Sequence, residues 1–186
     1  EARGVTGKRL LWALERAQIL RDVEGFLEAD EAVRREYGVR PLPGGAELRF
    51  GERTDRSVTV EYDLPSGRRV QFRGAIDRLD STPDGTRLLV LDYKTGSDRP
   101  YAEVVKTTVD RGRKLQLVIY GLAAQARYPG AQVEADYWFV TEARNYRRVG
   151  YAVDAERVAV FGQALDTIVS HIDQGVFAAH PGGSGF

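Results

Sequence analysis

The segment LLVLDYKTG, residues 88–96, carries the side chains with the clearest chemical potential. Read as a strand, it places Leu88, Val90, Asp92 and Lys94 on one face and Leu89, Leu91 and Tyr93 on the other. An aspartate and a lysine therefore continue an apolar, buried face. Taking an unpaired charge out of water costs several kcal/mol, so such a pair survives only when matched by opposite charge, by a metal or by solvent at a cleft. The strand end is either a salt bridge or a site.

The preceding stretch GAIDRLD, residues 74–80, repeats the anomaly, with Ala75, Asp77 and Leu79 sharing a face. A PDG turn at 83–85 joins the two strands and lets Asp77 lie beside Asp92. Two carboxylates at one point raise each other's pKa unless a cation sits between them. The chain has no cysteine, and its two histidines, His171 and His180, come late, so the available ligands are oxygens. Oxygen ligands select magnesium or manganese over zinc. A lysine two residues past a metal carboxylate holds an attacking water and offsets charge building on a phosphate, a set suited to phosphodiester hydrolysis by one or two metals.

Two further groups follow in the chain. Gln116 and Tyr120 are spaced i, i+4 on a helical pattern, so both project from one side, able to position a phosphate or the lysine. Ahead of them RGRK, with Arg111, Arg113 and Lys114, is a local basic patch able to grip a nucleic-acid backbone. A local patch is what such a partner requires, because 27 basic and 27 acidic residues cancel over the whole chain.

The elements that must position these residues are legible in outline. Residues 8–37 read as a helix with Leu11, Leu14, Ile19, Phe26 and Leu27 among charged residues, and Gly25 as a place to bend or divide it. PLPGG at 41–45 ends that region. Strands are expected at 47–50, 58–62, 69–80 and 87–94, as an antiparallel meander. A second helix at 113–127, strands near 132–140 and 146–153, and a last helix from the N-cap Asp154 to 174 complete the pattern, with His171 read as structural. This is an α/β architecture, a central mixed sheet flanked by helices.

Length and composition set limits. A chain of 186 residues with 42% hydrophobic content closes a single core. The absence of cysteine removes disulfides, thiolate nucleophiles and sulfur-ligated clusters, and is compatible with a cytoplasmic compartment. No run approaches the ~20 apolar residues of a membrane span. The start at Glu1, the lack of methionine and the turn-rich ending HPGGSGF point to a piece of a longer protein.

Taken together, FRGAIDRLD, LLVLDYKTG and KLQLVIYGLA resemble the nuclease domain of the RecB and AddB family, a branch of the PD-(D/E)XK superfamily, over about residues 69–124. The order of the three motifs, G-x-I-D-R-x-D, D-Y-K-T-G and Q-x-x-x-Y, is far more specific than D-x-K alone. The resemblance implies a restriction-endonuclease-like core at 46–178, a helical segment at 1–45 packed on it, and a flexible tail at 179–186. It implies that Asp77, Asp92 and the main-chain carbonyl of Tyr93 hold the metal, that Lys94 is catalytic, that Gln116 and Tyr120 support it, and that Glu47 is an additional upstream acid. Arg111, Arg113 and Lys114 would contact DNA. Family members often add a histidine from the upstream helix and four cysteines around an iron–sulfur cluster; this chain has no cysteine, so no cluster is expected in it. The implied partners are DNA and a helicase motor in the parent chain or a partner subunit, since the chain has no G-x-x-x-x-G-K-[ST] loop of its own. Two other readings exist: a nuclease fold retained only as a DNA-binding or docking module of a helicase-nuclease, and a metal-dependent hydrolase of another phosphate ester. Buried charges with no remaining task argue against the first.

Overall fold

The computed structural model describes residues 9–52 and 57–177; the expected tail at 179–186 and His180 lie outside them. Among the described residues the order of elements is α1 (Arg9–Tyr37), β1 (Arg40–Phe50), β2 (Val60–Asp63), β3 (Arg69–Phe72), β4 (Gly74–Ser81), β5 (Arg87–Lys94), α2 (Val104–Thr107), α3 (Gln116–Arg127), β6 (Gln132–Phe139), β7 (Arg148–Ala152) and α4 (Ala155–Asp173). Five strands form one sheet in the order β1-β4-β5-β6-β7. Only β5 and β6 run parallel, and α3 is the crossover between them. The mixed sheet flanked by helices is the expected fold class.

Alternation along β5 divides the core as expected. Leu88 and Val90 join a large cluster with Leu117 and Val118 of α3 and Phe161 of α4. Leu89 and Leu91 face the other way, against Trp138, Val33 and Val39, beneath α1. Asp154 caps α4, its carboxylate accepting from Arg157 N–H at 2.8 Å.

Several expectations are corrected. The strands do not form one meander. β2 and β3 pair only with each other, and the stretch expected as a single strand at 69–80 breaks at Arg73. The reason is apolar: Val60, Tyr62, Val70 and Phe72 pack on the core under α4, with Tyr62 and Phe72 rings 5.4 and 5.9 Å from that of Phe161. PLPGG does not interrupt the chain but lies inside β1, where a shift of register between Pro41 and Ala46 absorbs the extra residues. An edge strand tolerates proline because one side of it owes no ladder hydrogen bond. Helix α3 starts at Gln116 rather than 113, because Thr108, Asp110, Arg111 and Gly112 all hold positive φ just before it. Helix α1 is unbroken through Gly25, and Leu11, Leu14, Ile19 and Leu27 are 50–64% exposed; the helix turns Phe26, Asp30 and Val33 to the sheet instead. His171 is exposed on α4. No helix among the described residues is long and apolar enough to cross a membrane.

One glycine sets how closely α3 approaches the sheet. A Cβ added at Gly121 would lie 2.6 Å from a methyl of Val153, whose branched side chain is buried and stiff at χ1. Gly121→Ala gains about 1 kcal/mol of helix propensity. Overpacking a core costs about 1–3 kcal/mol, so the expected net result is a lower denaturation midpoint, measured by urea unfolding. A rise in the midpoint would show that α3 has room to move.

Candidate active site

The ladder between β4 and β5 is recorded from Ser81↔Leu88 to Arg78↔Leu91, and the acidic residues sit just past its end. There Tyr93 N–H donates to Asp77 Oδ2 at 2.8 Å, so a side-chain carboxylate takes the place of a strand partner. This bond fixes Asp77 from β4 against the end of β5, next to Asp92. Asp92 is 1% exposed. Lys94 Nζ lies against Asp92 Oδ2, so the ammonium is the partner of that buried oxygen. The strand end thus holds a salt bridge, with a second carboxylate, that of Asp77, beside it.

Electrostatics ties the acids together. Burial pushes the Asp92 carboxyl above the usual carboxylate range; the Lys94 ammonium pulls it down, and the Asp77 charge pushes it up again. On α3, Gln116 Nε2 donates to Tyr120 Oη at 2.8 Å, as the i, i+4 spacing implied. The Tyr120 hydroxyl is raised first by burial, opposed by Gln116, and then by the charges of Asp92, Asp77 and Glu47. The charges of all three carboxylates therefore reach that hydroxyl. Its ring rests edge-on against Phe50 of β1, centroids 6.0 Å apart.

Glu47 lies between the pairs Ala46↔Arg78 and Leu48↔Ile76, which sets it alongside Asp77. It is exposed and holds φ +50°, a left-handed conformation that side chains other than glycine rarely adopt. Among the described residues, no three histidine, aspartate or glutamate side chains gather tightly enough to enclose a metal by themselves. The fit for a divalent ion rests on fewer groups. Asp77 and Asp92 offer hard oxygens from neighbouring strand ends, close enough for the Asp77 charge to act on the buried Asp92 carboxyl. Magnesium completes its shell with water and needs only one or two carboxylates, so this donor set suits it.

The basic patch connects to the lysine through two rings in edge-to-face contact. Lys94 Nζ lies 5.4 Å from the Tyr137 ring centroid. Tyr137 packs on Tyr101 at 4.6 Å, and Lys114 Nζ stands 3.7 Å over Tyr101. Arg113 remains 69% exposed although it pairs with Asp110 at 3.0 Å. Arg111 is exposed on the strained turn before α3. Neither Tyr101 nor Tyr137 was expected as part of the site; an isolated tyrosine in a strand or loop gives no periodic signal.

The family model described as the PD-(D/E)XK nuclease superfamily matches residues 3–184. The chain is similar to an ATP-dependent helicase/deoxyribonuclease subunit from Symbiobacterium thermophilum, 37% identical over 100 residues, which is 50% of this chain and 8% of that protein. Its counterpart of the same name from Acetivibrio thermocellus is 34% identical over 80 residues, 42% of this chain and 6% of its own length. The chain thus spans a small fraction of the relatives it matches. A solved structure, the crystal structure of SSO0001, superposes with a TM-score of 0.38 at 16% identity, over 78% of this chain and 56% of its own, too loose a likeness to bear on the site.

Proposed function

The chain belongs to the PD-(D/E)XK nuclease superfamily, and from that premise we propose that it hydrolyses DNA phosphodiester bonds with magnesium or manganese held between β4 and β5. The observation that supports this most is the meeting of Asp77 and the buried Asp92 beside Lys94 at the end of two neighbouring strands. Asp77, Asp92 and the Tyr93 carbonyl would hold the ion, with Glu47 reaching it from the edge strand. When bound, the ion lowers the pKa of water and offsets charge on the phosphate. Lys94 orients the attacking water and neutralises charge on the phosphoryl oxygens as the bond to the leaving oxygen breaks. Gln116 and Tyr120 hold the phosphate or the lysine in register, and Arg111, Arg113 and Lys114 carry the flanking backbone. By its likeness to ATP-dependent helicase/deoxyribonuclease subunits, the domain would act beside a helicase motor; the motif resemblance extends this proposal to DNA end processing during recombination repair in the cytoplasm.

The direct test is labelled single- and double-stranded DNA incubated with magnesium or manganese, with and without a chelator. Cleavage that stops on chelation supports the proposal, and a steep fall of DNA binding with salt separates it from hydrolysis of a small phosphate ester. DNA binding with no cleavage under any divalent ion would favour the docking-module reading. Tyr120→Phe and Gln116→Ala are each expected to lower kcat about 10–100-fold with little change in DNA affinity, as for groups that orient catalytic residues. A pure loss of affinity would instead make these residues part of the DNA track.

A further inference from the structure

On the face of the sheet away from the site, a buried charged network lies directly behind it and has no role in the chemistry above. Arg78 Nε and Nη2 donate to the two oxygens of Asp80 at 2.6 and 2.5 Å. Arg78 Nη1 donates to Asp30 Oδ1 of α1 at 2.6 Å and to Tyr93 Oη at 3.3 Å. The second Asp30 oxygen lies 3.0 Å from Arg34 Nε, an ionic contact without hydrogen-bonding geometry. The side chains of Asp80, Asp30 and Arg78 are 0%, 10% and 12% exposed.

Strand alternation joins this network to the site through neighbouring residues of β4 and β5. Arg78 follows Asp77 in β4, and Tyr93 follows Asp92 in β5, so each pair sends one side chain to the site and the next to the reverse face. Tyr93 is held at both ends, its N–H bonded to Asp77 and its hydroxyl to Arg78. Its ring packs edge-on to Phe26 of α1 at 5.5 Å and against Trp138 at 6.1 Å. The recorded β4 ladder stops at Leu91, so on that edge the two bonds of Tyr93 hold the strand end.

We propose that Arg78 and Asp30, acting through the Tyr93 side chain, are positioning residues that set the separation of Asp77 and Asp92, and with it the affinity for the divalent ion. The inference rests on the function proposed above. Apolar groups of similar volume would hold α1 to the sheet at no loss of stability, whereas a planar arginine fork fixes a geometry that packing alone does not. Helix α1 thereby becomes part of the metal site without touching it.

The test is binding of manganese(II) to the full chain, followed by the paramagnetic signal of the free ion, for wild type, Asp92→Asn, Asp30→Asn, Tyr93→Phe and Arg78→Lys. Each protein is measured below its own melting temperature, with circular dichroism confirming the fold. Asp30→Asn is expected to weaken manganese binding about 10-fold or more, the usual effect of removing a partner behind a metal ligand. Tyr93→Phe should act in the same direction, and Arg78→Lys should fail to restore wild-type affinity because it keeps the charge but not the fork. In cleavage assays kcat should need more metal while KM for DNA is unchanged. Manganese affinity within about twofold of wild type in folded Asp30→Asn and Tyr93→Phe, well short of the usual loss, would overturn the proposal and leave the network as a clamp for α1. If wild type shows no manganese site sensitive to Asp92→Asn, the proposed function fails first, and the positioning role with it.

Discussion

Lys94→Ala is expected to reduce DNA cleavage by roughly 10²–10³-fold, the cost of removing one preorganised charge from a reacting centre, while DNA binding stays close to wild type. The lysine side chain is 24% exposed, so its head reaches solvent and substrate while its stem is held by the fold. Its ammonium lies against the Asp92 carboxylate and near the Tyr137 ring, which fixes it at the point where the phosphate would meet the acids. Asp92→Ala should abolish cleavage as well, by a different route: it removes one of the proposed ligands, so its defect should appear as lost metal binding. The Lys94 variant should still bind metal. Rates near wild type in either variant would reject the assignment of these residues.

The largest expected effect on stability lies on β6, between β5 and the edge strand β7. Asp136 of β6 is 4% exposed, and burial pushes its carboxyl up to about 7; Arg148 pulls it down, while Glu134 and Glu36 push it up. Arg148 Nη1 donates to Asp136 Oδ2 at 2.9 Å and stacks over Tyr37 of α1, centroid distance 4.4 Å. The folded chain keeps this proton to near neutrality, whereas the unfolded chain releases it near the ordinary value of 3.8. Between those values the folded state binds more protons, so the contribution of Asp136 is fully present below pH 3.8 and is lost as pH rises through about 7. The full span corresponds to about 4 kcal/mol as an upper figure. Asp136→Asn has no such proton. The wild-type melting temperature minus that of Asp136→Asn should therefore fall steadily as pH rises through this window. A difference that stays flat, or rises, would contradict the account.

How much was legible in the sequence depended on whether a signal was periodic. Alternation around Asp92 and Lys94, and around Asp77, predicted a charged end on a buried face, and that face is the one covered by α3. The i, i+4 spacing of Gln116 and Tyr120 predicted a shared side, and the two side chains are hydrogen-bonded. The same reasoning applied to Arg78 and Asp80 would have found the reverse-face network, because they too put charge on a buried face; the signal was present and unused. Other features had no local signal. Val60, Tyr62, Val70 and Phe72 alternate equally well in a sheet or in a separate hairpin, and only packing on Phe161 decides between them. The exposed stripe of α1 has the same residue types as its buried face, so composition could not choose between them. The turn at 108–112 depends on positive φ at Thr108, Asp110 and Arg111, and of these only the aspartate is a residue type enriched there.

The central claim is that Asp77 and Asp92 share one cation beside Lys94. Its most direct test is a crystal of the chain soaked in manganese and read by anomalous scattering. The account predicts a single strong peak between the two carboxylates, about 2.0–2.3 Å from an oxygen of each, as expected for a small hard divalent ion, and its loss in Asp92→Asn. Manganese elsewhere on the surface, or no manganese with both carboxylates in place, would contradict it.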